Sequence, residues 1–209
     1  MAVQTTREPA PKVTNIMTVN KRETVAIFGG SFNPPHIAHV LAVVMVLSMH
    51  DVDRVLVVPA YQHPFAKQLA SYDARIAMSE RAMGWLPRVA VSRIEEALGG
   101  ESRTLRTLER LAVDHPGWSM RLVVGADILT EAHKWHGFDQ ICALAPLLVL
   151  GRVGIEAAGA PEPVLPRASS TEVRAAVASR DVARLAQLVP RQVVAYIEEH
   201  KLYGIAQED

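Results

Sequence analysis

Short apolar runs alternate along this chain with longer segments whose apolar positions recur at helical spacing. The runs at 24–28, 54–58, 88–91, 120–124, 147–150 and Pro163–Leu165 are mostly rich in Val, Ile and Leu and read as strands. Between them, helical patterns cover Ile37–Met49, 72–84, 103–114 and 138–143. Ile37–Met49 is apolar almost all round yet far short of the ~20 residues that a membrane helix requires, so it reads as a helix buried against a sheet. Val189, Val193 and Ile197 recur every four residues and predict a closing amphipathic helix. The βαβα order predicts a parallel sheet covered on both faces, with ligands at the carboxyl ends of its strands. Residues 1–22 are polar and proline-bearing and read as a tail outside the core, leaving 23–209 as one domain.

Composition narrows the classes. The chain has 209 residues, enough for one substantial core, and its 49% hydrophobic content excludes global disorder. Lys plus Arg equals Asp plus Glu, at 22 each, so no basic field points to nucleic acid. A single cysteine, Cys142, rules out an intramolecular disulfide and suits a reducing cytoplasm; as a small buried apolar residue it needs no further role.

Candidate chemistry concentrates where the first strand hands over to the first helix, at Gly29-Gly30-Ser31-Phe32-Asn33-Pro34-Pro35-His36-Ile37-Ala38-His39. Two glycines permit backbone angles closed to other residues and a close approach by a ligand. Asn33-Pro34-Pro35 forces a turn. A helix beginning near His36 offers unpaired N–H groups and its positive dipole end to an anion. His36 and His39, three apart, share one face of its first turn and can donate to phosphate oxygens. A plain strand-to-helix turn is the competing reading. Metal binding is the weaker one, since zinc needs three or four ligands and no Cys or carboxylate stands nearby. Neither the P-loop pattern nor the dinucleotide glycine pattern is present.

Later segments add groups at strand ends. A loop after 54–58 carries His63 and Lys67. Ser102, Thr104 and Thr107 surround the start of the 103–114 helix, where a hydroxyl could simply cap it. Gly125-Ala126-Asp127 ends a strand in an acid able to accept from ribose hydroxyls or to cap a helix, and Trp135 follows with a flat ring surface suited to a heteroaromatic ligand. Ser169 with Glu172 forms a capping-box pattern, and Ser169, Ser170, Thr171 and Arg174 together make a second anion-ready helix start.

These segments resemble a family. Gly29 to His39 is similar to the G-G-[ST]-F-D-P-x-H-x-G-H signature of the nucleotidyltransferases, most closely of the bacterial nicotinate-nucleotide adenylyltransferases. Asn33 stands for the usual Asp and Ala38 for the usual Gly. Ser102-Arg103-Thr104 with Thr107 resembles that family's S-Y-T-x-x-T-[LI] segment, with Arg103 in place of tyrosine. Gly125 to Asp127, Trp135 and Ser169 to Arg174 match its G-x-D, tryptophan and S-S-T-x-[IV]-R elements, in the family's order.

The resemblance implies a Rossmann-like α/β fold with a parallel sheet and helices on both faces, and adenylyl transfer from ATP to nicotinate mononucleotide in NAD biosynthesis. It assigns His36, His39, Lys67 and Arg174 to catalysis, and Gly29, Gly30, Ser31, Phe32, Asp127, Ser169, Ser170 and Thr171 to ATP. Asn33, Thr104 and Trp135 go to the pyridine nucleotide. Mg²⁺ arrives with ATP and no protein metal site is implied. The expected setting is cytoplasmic, with no nucleic-acid or membrane partner, and homo-oligomerisation is left open. Nicotinamide mononucleotide, another phosphorylated small molecule, or a nucleotide-binding regulator without turnover are the alternatives.

Overall fold

The computed structural model of the protein describes residues 22–62, 69–154 and 158–204. Six strands form one parallel sheet: β1 (Glu23–Gly30), β2 (Arg54–Pro59), β3 (Val89–Val91), β4 (Trp118–Gly125), β5 (Leu147–Arg152) and β6 (Pro163–Leu165), in the order β3-β2-β1-β4-β5-β6. Side chains alternate across a strand, and both faces are covered. Val25, Ile27, Leu56, Val58, Leu122 and Val124 enter one core with α4 (Thr104–Asp114) and α6 (Phe138–Leu144). Ala26, Val55, Val57 and Val123 enter the other. There they meet α1 (Ile37–Met49), α2 (Tyr72–Ser79), α7 (Ser170–Ala178), α8 (Val182–Leu188) and α9 (Arg191–Glu199).

The expected α/β architecture is what the chain adopts, with differences at element ends. Two short helices escape the periodicity, α3 (Ile94–Leu98) and α5 (Ile128–Glu131), because each is too brief to show a repeat. The pattern over 72–84 is α-helical only to Ser79 and closes in a π-turn through Gly84. Strand order reverses direction between β1 and β4, which places a crevice at their carboxyl ends. Gly29, Gly30, Gly125 and Asp127 all lie there. Among the described residues no helix is long and apolar enough to cross a membrane.

Candidate active site

The opening turn is built differently from the glycine-turn expectation. Gly29 and Gly30 do not turn the chain: they extend β1, in register with Val58 and Pro59 of β2, and neither has a positive φ. Their lack of side chains serves space instead. A β-carbon on Gly29 would meet nothing, so the glycine bares backbone to the crevice, whereas one on Gly30 would press on the Phe32 ring at 3.1 Å. The left-handed residue is Phe32, at φ 45°, a costly conformation for an aromatic residue that the surroundings must hold. Its ring is 1% exposed and packs edge-on against Phe28 and His39, at 5.5 and 5.0 Å between centroids.

Asn33 is also buried, and its Oδ1 accepts from Ala70 N (3.0 Å) and from the Tyr203 hydroxyl (2.8 Å). Beside it lies Arg75, which belongs to no motif along the chain. Although 1% exposed, its guanidinium donates to the carbonyls of Ser31 (3.1 Å), Ala60 (2.6 Å), Tyr61 (3.1 Å) and Ala70 (3.1 Å). It thereby ties the β1–α1 turn to both flanks of the β2–α2 connection. His63 and Lys67 fall in that connection, outside the described residues.

His36 is the extended N-cap of α1, so the helix itself starts at Ile37. Its backbone N–H donates to His39 Nδ1 (3.1 Å), and the two rings stack at 3.8 Å with 28° between planes. Accepting through Nδ1 leaves the His39 proton at Nε2, which makes that edge a donor. Burial, reinforced by the Arg152 charge, pulls the His36 pKa down to about 4. Burial, His36 and Arg152 hold His39 well below its ordinary value. Both imidazoles are therefore neutral near pH 7, and they bring hydrogen bonds to an anion without charge. Ala38, where the family usually has Gly, is 5% exposed and belongs to the core that α1 shares with the sheet.

On the α4 side of the turn lies a cleft of about 450 Å³ bounded by Gly29, Gly30, Ser31, Thr104 and Trp135. Trp135 is half-buried and held edge-on by Phe138, 6.4 Å between centroids, while Thr104 opens α4 with Arg103 as its N-cap. The N-cap position falls on Arg103, between Ser102 and Thr104, so neither of these two hydroxyls occupies it. Ser102 Oγ accepts from Tyr61 N (2.8 Å), and the Arg103 side chain makes no cap hydrogen bond. Glu95, missed from sequence, is buried in the cleft wall and accepts from Thr107 Oγ1.

On the α7 side a hollow of about 870 Å³ is lined by Arg152, Arg167, Ser169, Thr171, Glu172 and Arg184 among others. Ser169 caps α7 by accepting from Glu172 N (3.2 Å). The capping box is only half formed, because the Glu172 carboxylate is held by Arg184. Ser170 Oγ donates to Pro34 O (2.9 Å), and Arg174 donates to Asn33 O (2.8 Å) and Thr171 Oγ1 (3.2 Å). The helix start is thus fastened directly to the β1–α1 turn. Arg152, which no local motif marks, ends β5 and donates to Ala168 O.

Asp127 stands exposed at the end of β4 and makes no side-chain cap to α5. A β-carbon on Gly125 would collide with its Oδ1, so the glycine makes room for this carboxylate. Among the described residues, no group of three or more His, Cys, Asp or Glu is arranged to hold a metal ion.

The cytidylyltransferase-like family model matches residues 27–176. A protein of Anaeromyxobacter dehalogenans (strain 2CP-C) described as "Probable nicotinate-nucleotide adenylyltransferase" is 44% identical over 86% of this chain and 96% of its own. One of Myxococcus xanthus with the same description is 39% identical over 87% and 95%. In three dimensions the chain is similar to the Plasmodium falciparum nicotinic acid mononucleotide adenylyltransferase complexed with NaAD, at TM-score 0.75 and 16% identity, over 87% of this chain and 97% of that one.

Proposed function

The chain belongs to the cytidylyltransferase-like family and, within it, to the nicotinate-nucleotide adenylyltransferases, and from that premise we propose that it joins ATP and nicotinate mononucleotide into nicotinate adenine dinucleotide, releasing pyrophosphate. One observation of its own site carries this reading: a single turn, Ser31 to His39, is flanked by an aromatic-walled cleft and by an arginine-lined hollow at a helix start. The first suits a pyridine ring and its ribose, the second a polyphosphate.

In the reaction a phosphate oxygen of the mononucleotide bonds to the α-phosphorus of ATP, and the bond from that phosphorus to the bridging oxygen of pyrophosphate breaks. The attacking oxygen is already ionised near pH 7, so no general base is required, and catalysis rests on alignment and charge stabilisation. His39 Nε2–H and His36 are assigned to the ATP phosphates. Arg174 and Lys67 stabilise the departing pyrophosphate, joined by Arg152, which lines the hollow. Ser169, Ser170 and Thr171 present the α7 start, and Asp127 accepts from the adenosine ribose. Gly29, Gly30 and Ser31 let the nucleotide lie against backbone, with the Phe32 ring as the buried support beneath them. Thr104 and Trp135 hold the pyridine nucleotide, and Asn33 acts through the turn that it ties together.

The charged groups lining the hollow are mainly guanidinium, and its carboxylate Glu172 is bound to Arg184. That donor set suits Mg²⁺ bound through ATP oxygens and water, with no protein cage. Mg²⁺ would neutralise charge on the polyphosphate. Parallel assays of pyrophosphate release with ATP and either nicotinate or nicotinamide mononucleotide test the reading. The acid is expected to react faster; equal rates, or preference for the amide, would overturn the acceptor assignment.

A further inference from the structure

Charge in the aromatic cleft is unevenly disposed for a substrate bearing a ring carboxylate. Three carboxylates line it, those of Glu95, Glu101 and Glu131, against the cations Arg103 and Lys134. Glu95 is buried and occupied with Thr107, while Lys134 is spent as a point charge on Glu131 at 2.8 Å. Arg103 differs in geometry. It is the N-cap residue of α4, next to Thr104, and its side chain is 51% exposed. Its hydrogen bond to a side chain runs from one terminal nitrogen to Glu101 Oε2, at 2.8 Å. The neighbouring Arg106 is turned away, with both terminal nitrogens donating to the carbonyls of Leu98 and Gly99.

A guanidinium carries five N–H donors in a planar fork. With one nitrogen on Glu101, Arg103 retains a second edge that matches a carboxylate with two parallel hydrogen bonds. A carboxamide meets the same edge badly: its oxygen accepts one N–H, but its own NH₂ faces the other donor to donor. The Glu101 pair does not hinder this, since an ion pair so exposed contributes little and the fork can pivot on it.

We propose that Arg103 is a specificity-determining residue that selects the ring carboxylate of nicotinate mononucleotide over the carboxamide of nicotinamide mononucleotide. This rests on the acceptor assignment made above, and deepens it by naming the side chain that reads the acid. The test is steady-state kinetics on the full chain with saturating ATP and Mg²⁺, varying each mononucleotide, for the wild type, Arg103→Gln and Arg103→Lys. Losing a bidentate, charge-assisted pair should raise KM for the acid about tenfold or more with little change in kcat. The acid-to-amide ratio of kcat/KM should fall by about the same factor. Arg103→Lys, which keeps the charge without the fork, should restore only part of the ratio. A ratio unchanged in Arg103→Gln, in a wild type that prefers the acid, overturns the role of Arg103 and leaves the acceptor assignment standing. A wild type that does not prefer the acid refutes both.

Discussion

Holding two neutral imidazoles in a folded chain makes stability depend on pH in a direction that the site fixes. His36 titrates near pH 6.5 when unfolded and at about 4 when folded, so between those values the unfolded chain binds a proton that the native chain refuses. Stability is then complete above about pH 6.5 and is lost as pH falls toward 4. One pKa unit corresponds to about 1.4 kcal/mol, so lowering pH from about 7.5 to about 5 should remove about 2 kcal/mol through His36 alone. His39 acts in the same direction. The assay is urea unfolding at the two pH values for the wild type and for His36→Asn, which cannot titrate. The loss on acidification should be smaller in the variant by about 2 kcal/mol, whatever its stability near neutrality. If both chains lose the same stability, His36 is not held neutral and the description of the stacked pair is wrong.

Two further outcomes follow from the packing. Gly125→Ala sets a methyl group against Asp127 Oδ1 and should raise KM for ATP about tenfold by displacing a ribose contact, with the pyridine nucleotide KM little changed; an unaltered ATP KM would remove Asp127 from the nucleotide site. Arg75→Met leaves four buried or half-buried carbonyls without their donor and should cost about 3 kcal/mol or more in chemical denaturation. A loss within about 0.5 kcal/mol would mean that Arg75 does not tie the turn to the loop.

Local pattern disclosed the layers, because burial imposes its period on every strand and long helix. All six strands were legible, and so was the capping serine of α7. What local pattern missed depends on distance along the chain. Arg75 sits in an ordinary helical stretch, yet its acceptors are 5, 14, 15 and 44 residues away, and nothing nearby announces them. Glu172 lost its place in the capping box to Arg184, twelve residues on. The paired glycines read as a turn by composition, but β2 continues alongside as far as Pro59 and keeps them extended. The turn residue was Phe32, a type that propensity disfavours at positive φ and that its contacts with Phe28 and His39 stabilise.

The same long-range packing explains how charge is divided in the site. An anion can be held by donors or by cations, and the two respond differently to pH. The histidines at the start of α1 are kept neutral by burial and by the nearby Arg152, so their hydrogen-bond geometry does not change as pH moves through the range where free imidazole titrates. The positive charge lies instead on guanidinium groups: Arg152 and Arg167 line the hollow, Arg184 there is paired with Glu172, and Arg174 is held on Asn33 O and Thr171 Oγ1. Hydrogen-bond donors and positive charge are thus supplied by different residue types on neighbouring elements. A site relying on imidazolium for charge would weaken as it deprotonated above pH ~6.5.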